Sequence, residues 1–264
     1  MKPISSRQNG LVRAFRELAD APDGDTRVLL DGVHLVREAR TAALEFEAVA
    51  VAASQLAGSS EAADLARALE SAGAPVFAVN DSVFTAMSPV RTSSGVVAIA
   101  RRTPSDAGAI SLTDNGFTLV AADVQDPGNL GGLIRTAEAG GVTGVLVSGA
   151  SANPFSWKAL RGSMGSALRL PVAVGQALDA IVRCAGASGG RTVAAVPRDG
   201  RAPDAINWCG AVTLILGGEG RGLPASLLST CDELVTVPMA PPVESLNVAV
   251  AGAILIYTAR RQRS

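Results

Sequence analysis

Apolar positions in the first hundred residues alternate between a helical and an extended period. Leu11, Val12, Phe15 and Leu18 recur at three-to-four spacing, which predicts a helix over 7–20 that Pro22-Asp23-Gly24 would end. Short apolar runs at Arg27–Leu30, Val49–Ala53, Pro75–Val79 and Val96–Ala100 read as strands. Helical patterns at His34–Ala43, 61–72 and about 82–87 separate them. This alternation predicts a small α/β unit. Residues 103–116 collect Pro, Ser, Asp, Gly and Asn and read as a linker. Beyond them the apolar runs are Phe117–Ala122, Val142–Val147, Val193–Val196, Val212–Leu216 and Leu234–Val237. A strand apolar at every position has no solvated face, so these runs predict a parallel sheet with helices on both sides. Asn153-Pro154 reads as a helix cap followed by proline at the first helical position. The stretch from Leu246 to Tyr257 is apolar almost all round, which predicts a helix buried in a core and a subunit interface. The expected organisation is an N-terminal domain over 1–103, a linker over 104–116 and a C-terminal domain over 117–264.

Composition narrows the chemistry. With 48% hydrophobic residues and 18% charged, the 264-residue chain can bury a real core, and 3% aromatics means a core of Ala, Val, Leu and Ile. No apolar run approaches the roughly 18 to 20 residues that span a bilayer, and the N-terminus has no apolar signal region, so a soluble cytoplasmic protein is expected. His34 is the single histidine, and Cys184, Cys209 and Cys231 show neither CxxC spacing nor a nearby histidine. A zinc site or disulfide framework is therefore not expected, and a Ser-His-Asp mechanism would have to run through His34 alone. Lys2 and Lys158 are the only lysines, neither in a GxxxxGK[ST] run, and no GxGxxG follows a strand. The net charge of −1 does not advertise a nucleic-acid partner, but it hides local clusters. Residues 1–16 carry Lys2, Arg7, Arg13 and Arg16 with no acid, and 139–178 carry Lys158, Arg161 and Arg169 with none. Each cluster reads equally as an RNA footprint or a solvated face.

Three stretches carry candidate chemistry. Asp126-Pro127-Gly128-Asn129-Leu130-Gly131-Gly132-Leu133-Ile134-Arg135 follows a buried strand and opens a helix, whose free N–H groups suit an anionic ligand. Arg135 lies off the apolar stripe of that helix and reads either as a functional group or as a surface arginine. Leu216-Gly217-Gly218-Glu219-Gly220-Arg221-Gly222-Leu223 places four glycines around one carboxylate, more than a tight turn needs, which lets a ligand approach the main chain. Val237-Pro238-Met239 through Ser245-Leu246-Asn247 is a rigid proline loop entering a helix, with Ser245 near the cap and Asn247 in a dry place that demands a partner.

In this order and spacing the stretches resemble the SpoU-type RNA 2′-O-ribose methyltransferases of the SPOUT class. The resemblance rests on NLGGLIRTA at 129–137, LGGEGRGL at 216–223, VPM…SLNVAVA at 237–251 and, more loosely, RGSMGSA at 161–167. Leu30-Asp31-Gly32-Val33-His34 and Thr92–Ala98 resemble the family's N-terminal substrate-binding module, where glutamate is usual at the position of Asp31. The resemblance implies a ribosomal-protein-like α/β RNA-binding domain followed by an α/β domain whose C-terminal segment threads a trefoil knot. It implies S-adenosylmethionine held by Leu216, Gly217, Gly218, Glu219, Val237, Met239, Ser245, Leu246 and Asn247. It implies a metal-free attack of a ribose 2′-hydroxyl on the sulfonium methyl, in a homodimer, on rRNA or tRNA. Arg135 and Asn129 would act at the hydroxyl, with Glu219, Ser245 and Asn247 in support. Candidate RNA contacts are Arg7, Arg13, Arg27, His34 and Arg161. Two competing functions remain on sequence alone: an inactive RNA-binding protein of the same fold, and a methyltransferase acting on something other than RNA.

Overall fold

A computed structural model describes residues 1–20, 26–111, 115–187, 189–220 and 222–263. The helix stop at 22–24, part of the expected linker (112–114), Arg221 and the side chain of Cys184 lie outside the described residues. In chain order the elements are β1 (Lys2–Ile4), α1 (Gly10–Ala19), β2 (Arg27–Asp31), α2 (Val33–Thr41), β3 (Glu45–Ala52), α3 (Ala53–Leu56), α4 (Glu61–Ser71), β4 (Val76–Val79), α5 (Asp81–Met87), β5 (Val96–Arg101), α6 (Ala107–Ser111), β6 (Phe117–Ala122), α7 (Pro127–Gly140), β7 (Gly144–Ser148), α8 (Trp157–Ser163), α9 (Ser166–Arg169), β8 (Val172–Gln176), α10 (Leu178–Ala187), β9 (Arg191–Ala195), a 3-10 turn (Pro203–Ala205), β10 (Val212–Gly217), α11 (Ala225–Leu228), β11 (Glu233–Val235) and α12 (Val248–Arg263).

Two compact units result: Met1–Thr103 with Phe155–Leu168, and Pro104–Pro154 with Arg169–Ser264. The first unit holds a five-stranded mixed sheet in the order β1-β4-β3-β5-β2. β1, β4 and β3 are parallel, and β5 runs antiparallel to both β3 and β2. Its core is aliphatic with two aromatic anchors, packing Val12 and Phe15 of α1 against Leu29, Ile99, Phe84 and Met87. Sequence pattern misses β1, because three residues with only Ile4 buried show no period; pairing with β4 makes them a strand.

Residues 155–168 were expected inside the C-terminal domain, yet they pack with the first unit. Ala159 and Leu160 are buried, and Trp157 lies against the first unit's core. The Arg102 guanidinium stacks 3.5 Å from the Phe155 ring centre, a cation–π contact. The cap expected at Asn153-Pro154 is displaced to Ser156, whose Oγ accepts from the Ala159 N–H at 3.3 Å. The displacement follows from Phe155: burying its ring holds 154–155 in a turn, and the helix begins only after it.

The second unit holds six parallel strands in the order β11-β9-β10-β6-β7-β8, as the unbroken apolar runs require. One sheet face, with Val120, Leu146 and Ile215, is covered by Ile110, Ile181 and Leu227 of α6, α10 and α11. Part of the expected linker is therefore helix α6 docked on the sheet; its polar residues supply cap chemistry, with Asp106 accepting from the Gly108 N–H at 3.1 Å. α7 and α12 cover the Leu216 face. A Cβ at Gly252 would sit 2.4 Å from Leu133 Cδ1, so glycine is what allows the two helices to close on each other. α12 begins two residues after the expected start and buries Val248, Gly252, Leu255, Ile256 and Ala259. Val250, Ile254 and Tyr257 are 49%, 39% and 47% exposed, so within the chain only one face of this apolar helix is covered. Of the basic tail, Arg260 donates to the Ala139 carbonyl at 3.0 Å and Arg263 to the carbonyls of Trp208, Gly210 and Asn115, which ties the helix end down.

Candidate active site

In parallel α/β sheets ligands bind beyond the carboxyl ends of strands where the winding reverses. Here that place is the β6/β10 boundary: after β6 the chain winds toward β7 and β8, and after β10 toward β11. The two strands end in register, Gly217 opposite Ala122, and the loops that follow touch at once. The Gly218 N–H donates to the Ala122 carbonyl at 2.6 Å. A Cβ on Gly218 would lie 1.7 Å from the Asp123 carbonyl oxygen, and one on Gly217 would lie 3.0 Å from the Leu223 nitrogen. The glycines are thus demanded by main-chain contact.

Asp126 caps α7, its carboxylate accepting from the Asn129 N–H at 2.7 Å, with Pro127 in the first turn. That cap places Asn129 so that its Nδ2 donates to Glu219 Oε1. Asn247 Nδ2 donates to Asn129 Oδ1 at 3.0 Å and reaches Glu219 Oε1 at 3.3 Å. Its own Oδ1 accepts from the N–H groups of Ala249 at 2.9 Å and Val250 at 3.3 Å. Three residues from three distant stretches therefore form one hydrogen-bonded cluster. The expectation for Asn247 is corrected in one respect: it is exposed, not dry, because α12 starts after it and only the helix proper is buried. The cap function expected near Ser245 belongs to Asn247 for the same reason.

Beside the cluster lies a cavity of about 380 Å³, within the range of small-molecule sites. Leu216, Gly217, Gly218, Glu219, Val237, Met239, Ser245 and Leu246 line it, all of them expected donor contacts; Asn247 stands just outside. Sequence reasoning missed Ala195, Val196 and Pro197, the carboxyl end of β9, which form another wall. The available signal was that β9 is parallel strand, but its adjacency to β10 exists only in the folded sheet. The walls are mostly aliphatic with main chain exposed at the glycines, which suits a flat, partly apolar molecule with polar edges. Among the described residues no group of three or more His, Cys, Asp or Glu could hold a metal ion.

Arg135 stands exposed on α7 and forms no hydrogen bond or ion pair with any described residue. Its neighbour Glu138 is instead engaged by Arg169 in a two-toothed pair, 2.8 Å at each contact. Among the RNA candidates, Arg7 spends its fork on the Ser82 carbonyl (3.1 and 2.8 Å), and Arg13 lies 3.7 Å from Glu17. Arg27 sits on β2 opposite Arg101. His34 and Arg161 are brought to one neighbourhood: His34 Nε2 lies 3.1 Å from the Met164 carbonyl, and Arg161 acts electrostatically on Asp31. The Asp31 carboxylate is buried and accepts from Ser88 at 2.5 Å and Ser93 at 3.0 Å, so it anchors the 88–93 loop. Burial raises its pKa against the lowering effect of the two serines and Arg161.

The profile of the SpoU rRNA Methylase family matches residues 116–257. The chain belongs to this family. A Synechocystis protein described as an uncharacterized tRNA/rRNA methyltransferase is 33% identical over 98% of this chain and 94% of its own. The Bacillus subtilis 23S rRNA (guanosine(2553)-2′-O)-methyltransferase RlmP is 31% identical over 98% of this chain and the whole of that one. Among solved structures, an AdoMet-bound rRNA methyltransferase from Sinorhizobium meliloti superimposes with a TM-score of 0.86, at 28% identity, covering 98% of this chain and 97% of that one. The resemblance read from the motifs and the α/β architecture both stand.

Proposed function

We propose that this SpoU-family protein transfers the methyl group of S-adenosylmethionine to a ribose 2′-hydroxyl of ribosomal RNA. The observation that carries the reading is the convergence of Asn129, Glu219 and Asn247 at the rim of a glycine-walled cavity, with an uncommitted arginine on the same helix as Asn129. Bound in that cavity, S-adenosylmethionine supplies an electrophilic sulfonium methyl. The main chain at 217–218, with Leu216, Val237, Met239, Ser245 and Leu246, would hold the donor. Glu219 fixes Asn129 and Asn247, so the loops after β6, β10 and β11 keep one geometry without paying reorganisation during the reaction. Arg135 presents a fork of N–H donors and no acceptor atom, so it does not act as a base. It holds the adjacent phosphate in two-toothed geometry or stabilises charge developing on the 2′-oxygen. His34 and Arg161, with the loop anchored by Asp31, receive the RNA.

The same reading takes the protein as a cytoplasmic homodimer with a knotted C-terminal segment. The dimer is supported by Val250, Ile254 and Tyr257, an exposed apolar stripe at four-and-three spacing along α12. Among the described residues no helix is long and apolar enough to cross a membrane.

Incubating ribosomal RNA with the protein and a labelled donor, then mapping the label, tests the reading. Label is expected on one ribose. Arg135→Ala is expected to lose about 100- to 1000-fold in rate, in line with the removal of one charge-stabilising donor, with unchanged thermal stability because the side chain makes no internal bond. Arg135→Lys keeps the charge and loses the fork, and near-normal turnover in that variant would refute the bidentate role. Calorimetry showing no donor uptake by the folded protein, with or without RNA, would overturn the enzymatic reading itself.

A further inference from the structure

The turn that leads from β6 into α7 is held by two buried hydroxyls that the reaction does not use. β6 and β7 cease to pair after Ala121 and Val147, so the N–H groups of Asp123 and Val124 lose their sheet partners just where the chain must turn. Asp123 adopts φ +58°, a left-handed conformation uncommon outside glycine. Val124 is 1% exposed. An N–H stranded there would be costly. Ser148 Oγ accepts from the Asp123 N–H at 2.9 Å, and Ser151 Oγ accepts from the Val124 N–H at 3.1 Å. Ser151 spends its single proton on the Ala121 carbonyl at 3.2 Å. In the 3.1 Å contact between the two hydroxyls Ser148 is therefore the donor, and every bonding capacity of Ser151 Oγ is used. The Ala152 N–H closes the set on the Val124 carbonyl at 2.8 Å. The opposite side of the same turn is Gly218, pressed against Asp123.

We infer that Ser148 and Ser151 are positioning residues for methyl transfer: their hydroxyl pair sets the height of the Asp123–Val124 turn, and through it the meeting of Asn129 with Glu219 and the placement of Arg135. The pair touches neither the cavity nor the cluster. No residue of 121–129, and neither serine, lines the cavity. Losing a hydroxyl therefore shifts α7 relative to the glycine loop while leaving the donor's walls in place. This inference rests on the methyltransferase reading above.

The test compares Ser148→Ala and Ser151→Ala with the wild-type protein, all assayed well below their unfolding temperatures. A displacement near 1 Å in a positioned group costs on the order of 100-fold, so kcat is expected to fall about 10- to 100-fold. The donor dissociation constant, measured by calorimetry, should stay within about threefold, a split that removal of an interaction made only in the transition state produces. Ser148→Cys and Ser151→Cys, which keep a weak donor and acceptor of similar size, should recover part of the rate, and they carry the test if an alanine variant fails to fold. A second readout needs no activity. Hydrogen exchange should accelerate over 123–133 and stay unchanged over 217–219, β7 and β8. Wild-type kcat in both alanine variants, an equal loss of donor affinity and kcat, or exchange that rises across the whole sheet would overturn the inference. If the wild-type protein transfers no methyl, the exchange pattern still decides the role of the serines, and the failure belongs to the functional reading.

Discussion

Gly218→Ala puts one methyl group where the structure has no room. An ideal Cβ at this position lies 1.7 Å from the Asp123 carbonyl oxygen and 2.4 Å from its carbon, whereas real Cβ atoms essentially never come within 3.0 Å. Both obstacles are main chain, so no side chain can swing aside. The loops after β6 and β10 must separate by about 1.3 Å, more than the displacement that costs about 100-fold in a positioned reaction. The Gly218 N–H bond to Ala122, now 2.6 Å, is then stretched past hydrogen-bond range. Overpacking of this kind costs about 1–3 kcal/mol, and the lost bond about 0.5–1.5 kcal/mol more. The expected variant is destabilised by roughly 1.5–4.5 kcal/mol on these figures, and transfers methyl at least about 100-fold more slowly when assayed fully folded. Chemical denaturation gives the first quantity and labelled-methyl incorporation the second. Gly10→Ala is the control, since nothing lies within 4 Å of its Cβ position. A Gly218→Ala protein within about 0.5 kcal/mol of wild type and with an unimpaired rate would show that the two loops are free to part, and the argument from close approach would fail.

Asn247→Ala should lower stability by about 0.5–2 kcal/mol through the lost α12 cap and should also slow transfer, whereas Asn247→Asp keeps the cap but sets a second carboxylate beside Glu219; equal activity of Asp and Asn variants would deny the cluster a role. Asp232 accepts from the Thr192 main-chain and side-chain donors at 2.7 Å each, which lowers its pKa below 3.8. A carboxylate lowered in this way stabilises the fold above its unfolded pKa, and that contribution is lost as pH falls through the folded value. Asp232→Asn should therefore lower the unfolding temperature at pH 7, with the gap from wild type narrowing below about pH 3.8; a gap that does not change with pH would refute the linkage. On the proposed pairing through α12, the wild-type protein should sediment as a dimer and Ile254→Asp as a monomer; a wild-type monomer would refute the pairing, and a variant dimer would move the interface off α12.

Much of the candidate site was legible because its requirements are local. Four glycines around Glu219, a Pro after the Asp126 cap, and an arginine off the apolar stripe of its helix are each visible in a dozen residues. The segment 155–168 was not legible: its apolar pattern says that it is buried, and only the folded chain says against which core. Arg7, read as an RNA contact, is spent on the Ser82 carbonyl, a partner 75 residues away that no spacing rule reveals.

Hydrophobic period by itself determined the parallel sheet of the second unit, the α/β alternation and an apolar last helix, since whether a strand has a solvated face is written in its own side chains. Tertiary structure alone decided that Asn129, Glu219 and Asn247 meet, that β9 forms a cavity wall, and that Gly218 must be bare because Asp123 lies against it. Such contacts depend on which strands become neighbours, and strand order is set by how the whole chain winds rather than by any stretch of it.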